Sequence, residues 1–589
     1  MCKRLLVFFG LAIFIFTAFS SCKKYYPSES SEDEYDGTVG YEEASDYVWN
    51  SSDITDIALS GSSITINGNG VTADGSILTI ISPGTYRVTG SLTDGQVIVK
   101  TGDAGIVRII LNGADIKCSE SAPIYVKSAE KVLLVLADGT ENSVTDGASY
   151  SLNDDGEPDA AIFSKSYLSF YGNGSLAVKA NYSDGIAGKD GLVIKNGTID
   201  VTSADDGIRG RDYIIIRNGK ISVESKGDGM KSTNDEDSSL GYITVDSAEL
   251  NINAAGGDGI NAQTDVTIND GLFTITTGGG AGSSATSSVA GGGFSGPQGG
   301  SGSSSGYSGT VSEKAIRAQE TLTIQKGTFN INSADDAIHS NNAVIINGGT
   351  FEAATGDDAI HAETSVTING GAINFSKCYE GIESALITVN SGDISIVSSD
   401  DGFNATKGTA TEQNDGSFLY IYGGDIYVNA SVGDGLDSNG SIEMTAGTVV
   451  INGPQSSPEV AYDYNGAFNI SGGIFAASGL NSGNMIQNPG SSSSQYIVKA
   501  TTQSGLSAST LFHIEDAGGK DLLTFKSVRN LYYVVFSSAD LANGSTYSVF
   551  TGGTSTGTYT NGLYKGGTYS GGTLKKSFTI SGKISTISY

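Results

Sequence analysis

At 589 residues the chain is longer than one compact hydrophobic core usually serves, so several domains or an elongated repeat are expected. Its 82 glycines and 8 prolines fit neither collagen, which needs glycine at every third position, nor an ordinary helical globule. With 33 basic against 64 acidic residues the net charge is −31, which excludes nucleic-acid binding and makes cations the natural counterparts.

At the N-terminus, Lys3 and Arg4 precede an apolar run from Leu5 to Phe19, and Ser20-Ser21-Cys22 follows. The run is short of the ~20 residues a spanning helix needs, so residues 1–21 read as an export signal. Small residues before a cysteine resemble a bacterial lipobox, which implies that Cys22 is diacylated and becomes the mature first residue. Two acyl chains, at roughly 0.8 kcal/mol per buried CH₂, hold a protein durably on a bilayer. The expectation is an outer-membrane lipoprotein exposed at the cell surface. Residues 22–50 read as an acidic tether; Glu29, Glu32, Asp33 and Glu34 near its start resemble the surface-export signal of Bacteroidetes lipoproteins.

From about Ser51 to Tyr182 short strand-like runs dominate, such as Val107-Arg108-Ile109-Ile110-Leu111. A repeat then becomes explicit. Asp184-Gly185-Ile186, Asp206-Gly207-Ile208 and Asp228-Gly229-Met230 are 22 residues apart. The same step joins Lys314-Ala315-Ile316, Asp336-Ala337-Ile338, Asp358-Ala359-Ile360 and Glu380-Gly381-Ile382. Asn196-Gly197, Asn218-Gly219, Asn347-Gly348 and Asn369-Gly370 mark a recurring tight turn. Within a unit, apolar residues alternate, as in Thr198-Ile199-Asp200-Val201-Thr202, which is strand periodicity. Short strands, glycine-bearing corners and this period predict a right-handed parallel β-helix over residues 51–490, its isoleucine columns stacked at roughly 4.8 Å. Cys118 and Cys378 are 260 residues apart, too far to bond in a solenoid, and are expected unpaired and packed inside.

Four segments break the step: Asn234 to Gly241, the Gly/Ser-rich stretch 278–311, Lys407 to Ser417, and Gly453 to Pro458. All four open beside the Asp-Gly-Ile corner, and loops gathered on one edge of a solenoid usually mark its binding face. Residues 491–589 carry further strands, such as Leu531 to Phe536, and read as a C-terminal β module that covers the open end.

The corner carries the chemistry. Asp184, Asp206, Asp228, Asp258, Asp336, Asp358, Glu380, Asp401 and Asp434 fall in one column, and Asp205, Asp335, Asp357 and Asp400 double it. Carboxylates about 4.8 Å apart repel by ~3–4 kcal/mol at an effective dielectric of 20, so a ladder of them calls for cations. Oxygen-rich sites suit Ca²⁺. The plainer reading is a solvated, self-repelling edge in which Asp-Gly serves only the turn. The proposed metal ligands are Asp205, Asp206, Asp228, Asp335, Asp336, Asp357, Asp358, Glu380, Asp400 and Asp401. Three positions past the column stand Arg209, Lys231, Asn261, Arg317, His339, His361, Glu383, Asn404 and Asp437. Arg209, Lys231, Arg317, His339 and His361 are the candidate ligand-binding residues. The histidines also admit a softer metal. Lys314 replaces one acid and would neutralise Asp336.

Ser203 to Gly210 (Ser-Ala-Asp-Asp-Gly-Ile-Arg-Gly), Ser333 to His339, Gly227 to Asp237 and Lys576 to Ser581 resemble a bacterial carbohydrate-binding β-helix lipoprotein family. Its members are calcium-containing binders of cellulose and acidic pectin, similar in fold to family 9 pectate lyases. The resemblance covers nearly everything after Ser60 and implies calcium at the Asp pairs and a polysaccharide ligand. Three functions remain open: calcium-dependent, non-catalytic polysaccharide binding by a monomer; a surface adhesin or stalk; and a calcium-dependent polysaccharide lyase. For the lyase, Lys231, Lys314, Arg209 and Arg317 are candidate bases, none within a motif that marks it as one.

Overall fold

The computed structural model describes residues 42–152, 156–283, 311–408 and 413–589. The export signal, Cys22, the acidic stretch from Glu29 to Glu34 and most of the Gly/Ser-rich insertion lie outside the described residues. Among those described there is no α-helix, and none is long and apolar enough to cross a membrane. Regular structure is almost all strand, in sheets of 33, 15 and 6 strands, and the two larger sheets run mainly parallel in a solenoid-like arrangement.

Register shows why the repeat folds this way. In the 15-stranded sheet, Ile186, Ile208, Met230, Ile260, Ile316, Ile338, Ile360, Ile382, Phe403 and Leu436 pair in one unbroken column. All are fully buried, each contributing about 1.5–3 kcal/mol of apolar burial. The 33-stranded sheet supplies the opposing walls; there Phe273, Phe329 and Phe351 stack with ring centroids 4.6 and 4.5 Å apart. Cys118 and Cys378 are buried and unpaired.

Two kinds of glycine shape the repeat. At the Asn-Gly turns, Gly197 and Gly219 take φ of 126° and 125°, a region that L side chains avoid. In later repeats that role falls on the second glycine, Gly349 and Gly371, while the amides of Asn347, Asn369 and Asn390 form a ladder of 2.7 and 2.8 Å. The corner glycines differ. Gly207 is not left-handed, but a Cβ there would lie 2.3 Å from Val223 Cγ1 and 2.5 Å from the Gly229 carbonyl. Where the corner carries glycine, as at Gly207, close approach of the neighbouring strand and not turn chemistry excludes a side chain; Ala337 and Ala359 take the same place in later repeats.

Antiparallel pairs stand at both ends. Ile54–Gly61 pairs with Ser63–Asn67, and Val71–Asp74 with Ile77–Ile80. At the far end Ile474–Gly479 pairs antiparallel with Leu531–Ser538. The six-stranded sheet, drawn from residues 511–579, shares a core with Val450 and Ala476 on the last parallel strands.

Residues 42–50 depart from the expected tether. Glu42 binds Lys195 at 2.8 Å and Arg217 at 2.9 Å, and Asp46 forms a buried 2.8 Å pair with Lys131. Tyr47 and Trp49 pack on Tyr171 beside Ile110 and Leu133. These aromatic groups gain by leaving water, so the segment lies along the long sheet.

Candidate functional site

The acid column precedes each short strand of the 15-stranded sheet. It is not a solvated edge: Asp184, Asp206, Asp228, Asp258, Asp336, Asp358 and Asp434 are buried. One oxygen of each acid has a structural task. Asp228 N–H donates to Asp206 Oδ1 (2.8 Å), Asp258 N–H to Asp228 Oδ1 (2.7 Å), and Lys314 N–H to Asp258 Oδ1 (2.8 Å). Asp358, Glu380 and Asp434 N–H groups donate likewise to Asp336, Asp358 and Asp401, at 3.1, 3.2 and 2.5 Å. A short acidic side chain thus satisfies a corner amide that the ladder of backbone bonds skips. Two residues earlier, Ser203, Ser333, Thr355 and Ser398 donate to the carbonyls of Asp205, Asp335, Asp357 and Asp400.

The second oxygen faces the outward column three residues on. Arg209, Lys231, Asn261, Arg317, His339, His361, Glu383, Asn404 and Asp437 are in register across neighbouring strands. The column therefore changes from basic to acidic along the sheet.

In the first half the protein supplies its own cations. Arg209 Nε lies 2.6 Å from Asp184 Oδ2, and its Nη2 lies 2.7 Å from Asp159. Lys231 Nζ stands 2.9 Å from Asp228 and 3.4 Å from Asp206. Arg317 lies 3.6 Å from Asp258, and Lys314 binds Asp335 and Asp336 at 2.8 Å each. Burial pushes the Asp184 carboxyl up to about 7 even with Arg209 beside it. At Asp336 the upward push of burial is overcome, chiefly by Lys314, and the carboxyl stays well below the usual range. Lys231 and Lys314 are held above the ordinary lysine range, because their aspartate neighbours outweigh the lowering effect of burial.

The second half differs. Among the described residues no Lys or Arg pairs with Asp358, Glu380 or Asp401. Burial raises all three well above the ordinary carboxyl value. Asp336 adds to the effect at Asp358, Glu383 at Glu380, and Asp437 at Asp401. Asp434 rises for the same first reason, and Asp357 reaches about 6 through burial and Asp336. Ligand atoms of Asp434, Asp437 and Asp463 lie within 4.8 Å of one another, as do those of Asp358, His361 and Glu383.

Beside the column, Gln263, Gln319, Glu320, Asn341 and Asn342 line an open polar cleft of about 640 Å³. His339 connects the two, with Nδ1 2.8 Å from Asp336 and Nε2 2.9 Å from Asn341. After the insertion at 407–417, Phe418, Tyr420 and Tyr422 follow at alternate positions, their rings stacked at 4.0 and 5.4 Å.

All the candidate residues from Asp205 to Asp401 thus meet along one edge, but in different roles. Asp206, Asp228, Asp335 and Asp336 face lysines, and Arg209, Lys231 and Arg317 are turned toward acids. Asp205 is exposed, Asp357 stands beside Asp335 and Asp336 within reach of the Lys314 charge, and Asp358, Glu380, Asp400 and Asp401 pair with no Lys or Arg among the described residues. The column step runs on from Asp434 to Asp463, but in the structure Tyr462 pairs with Leu436, so Asp463 stands beside Asp437 and Val460 takes the amide place after Asp434. The amide cleft left no signal in the sequence, because Gln, Asn and Glu alternate there without a repeated motif.

A family model described as "Carbohydrate-binding domain-containing protein" matches residues 74–359. A protein of that description from Acetivibrio thermocellus is 43% identical over 215 residues, covering 36% of this chain and 75% of the relative. A solved structure, the polysaccharide lyase-like protein from C. thermocellum as a gadolinium derivative, is 26% identical with a TM-score of 0.35, covering 53% of this chain and 96% of that one.

Proposed function

The chain belongs to the family of carbohydrate-binding domain-containing proteins, and from that premise we propose that it binds an acidic, pectin-like polysaccharide through calcium without cleaving it. The observation that carries this reading is the change along the acid column, from lysine- and arginine-paired acids to the buried Asp358 and the half-buried Glu380 and Asp401, which have no Lys or Arg partner among the described residues. Carboxylates of that kind fit a hard divalent cation. Glu380, Asp400, Asp401 and Asp434 would hold it; bound there, calcium supplies positive charge for uronate carboxylates. The amide cleft offers donors and acceptors to sugar hydroxyls, and Tyr422, 41% exposed, offers an apolar ring.

Lys231 and Lys314 are poor proton acceptors, since their acidic partners keep them protonated. That favours binding over the lyase reading. The same proposal takes the fold as a right-handed parallel β-helix with coils of about 22 residues, and the protein as a monomer anchored to the outer membrane by Cys22, exposed at the cell surface.

One preparation tests these points. Cys22→Ser should release the chain from the membrane fraction. Incubated with polygalacturonate and with neutral glycans, the released chain should retain the acidic polymer saturably, only with Ca²⁺, and form no unsaturated product absorbing in the ultraviolet. Unsaturated products lost in Lys231→Ala or Lys314→Ala would establish a lyase. Failure to retain any glycan would leave the adhesin or stalk.

A further inference from the structure

Three carboxylate and histidine groups near the middle of the short-strand sheet differ in donor chemistry from the all-oxygen acids beyond them. The chain has only three histidines. His513 is buried in the six-stranded sheet, with Nδ1 2.8 Å from Thr524. His339 is committed through both ring nitrogens, to Asp336 and Asn341, and Lys314 Nζ already lies 2.8 Å from the same Asp336 oxygen. An ammonium there disfavours a metal.

His361 is different. Neither of its ring nitrogens makes a hydrogen bond among the described residues; Nδ1 lies 3.5 Å from Asp358 Oδ2. That separation is long for a hydrogen bond. It is close to the ~3.3–3.4 Å edge of a tetrahedron whose ligands stand about 2.0–2.1 Å from a zinc ion. The Asp358 side chain is only 7% exposed, and its Oδ2 makes no hydrogen bond among the described residues, while Oδ1 accepts the Glu380 N–H at 3.2 Å. The oxygen aimed at His361 therefore belongs to a buried side chain and is uncommitted. Glu383, in register with His361 on the next strand, brings a carboxylate oxygen within 4.8 Å of both. Outside this triad, Glu363 Oε1 lies 4.0 Å from His361 Nε2, on the side where metal-bound imidazoles usually meet a carboxylate.

The geometry points to a mixed nitrogen–oxygen site at Asp358, His361 and Glu383 that takes a first-row divalent ion such as Zn²⁺. Calcium takes oxygen ligands at about 2.3–2.6 Å, so imidazole selects against it. The site is separate from the calcium-bridging acids proposed above, and its occupancy does not depend on that reading.

The test uses the full chain, freed of metal by a chelator and titrated with Zn²⁺ by calorimetry while calcium is in large excess. One zinc per chain should bind and resist exchange by calcium. His361→Gln should weaken zinc binding at least about tenfold, since loss of even an outer partner costs about 10–100-fold. His339→Gln should leave it nearly unchanged, and calcium uptake should be the same in all three proteins. Co²⁺ in place of zinc should give visible absorption bands that disappear in Asp358→Asn, a near-isosteric change that keeps the corner acceptor. Equal zinc affinity in wild type and His361→Gln, full displacement by calcium, or no zinc bound would each overturn the assignment.

Discussion

A single aspartate in this protein has two jobs, and the two halves of the column separate them. Asn at a column position keeps an oxygen for the next N–H but removes the charge. At Asp336 that charge faces Lys314 and is held well below the usual carboxyl range, so Asp336→Asn should destabilise the chelator-treated protein by about 1.5–3 kcal/mol, the scale of a hydrogen bond to a charged group. At Asp401 the charge faces Asp400, Glu380, Asp434 and Asp437 without a basic partner. Asp401→Asn should therefore stabilise the chelated protein, on the order of 2 kcal/mol for one like-charge contact at an effective dielectric of 20, and blunt its response to calcium. Thermal melting of the two variants in chelator, then in Ca²⁺, checks the opposite signs. Shifts of the same sign would mean that the internal cations do not distinguish the halves.

Taken as an element, the ladder makes stability depend on pH. Asp358, Glu380, Asp401 and Asp434 all titrate above their unfolded value, and Asp357 at about 6. A carboxyl whose folded pKa is raised takes up protons on folding. Its favourable contribution is complete below the unfolded pKa near 4 and is lost as pH rises through the folded one. Asp336 has the opposite sign, its stabilisation disappearing only as pH falls below the ordinary carboxyl range. Because the raised groups outnumber it, the metal-free protein should melt higher at about pH 5.5 than at about pH 8. Calcium should narrow the gap by taking the place of the protons at Glu380, Asp401 and Asp434. A chelated protein whose melting temperature rises over that interval would show the acids to be compensated another way.

At the scale of the whole molecule, long parallel sheets end in strand edges that invite pairing with other chains. Here Leu531–Ser538 occupies the edge of Ile474–Gly479, and the six-stranded sheet covers Val450 and Ala476. Truncation after residue 490 should expose both and give concentration-dependent aggregates on size exclusion with light scattering, where the full chain gives none. A monodisperse truncated chain would show that the last parallel strand protects itself. The N-terminal strap acts across strands as well. Its Asp46–Lys131 pair is almost wholly removed from water, and breaking one partner of such a pair costs about 3–5 kcal/mol.

What the sequence determined by itself is the order of stacking. A parallel sheet pairs residues separated by one repeat, so the 22-residue step named the buried Ile column from Ile186 to Ile382 and aligned Arg209 through Asp437. It also located the four insertions beside the corner and kept Cys118 and Cys378 apart. Only the tertiary structure decided what each acid meets. Lys231 reaches back to the acid of the preceding repeat, Lys314 reaches forward to the next pair, and Asp358 is left facing His361. These outcomes depend on side-chain reach between strands, which a repeat step does not encode. The same holds for residues 42–50, whose composition reads as tether but whose Tyr47 and Trp49 find an apolar seat more than a hundred residues away at Tyr171, and for the corner glycines, required by the neighbouring strand and not by their own backbone angles. Local pattern fixes which residues align, whereas charge pairing and close contact are settled by groups distant in the chain.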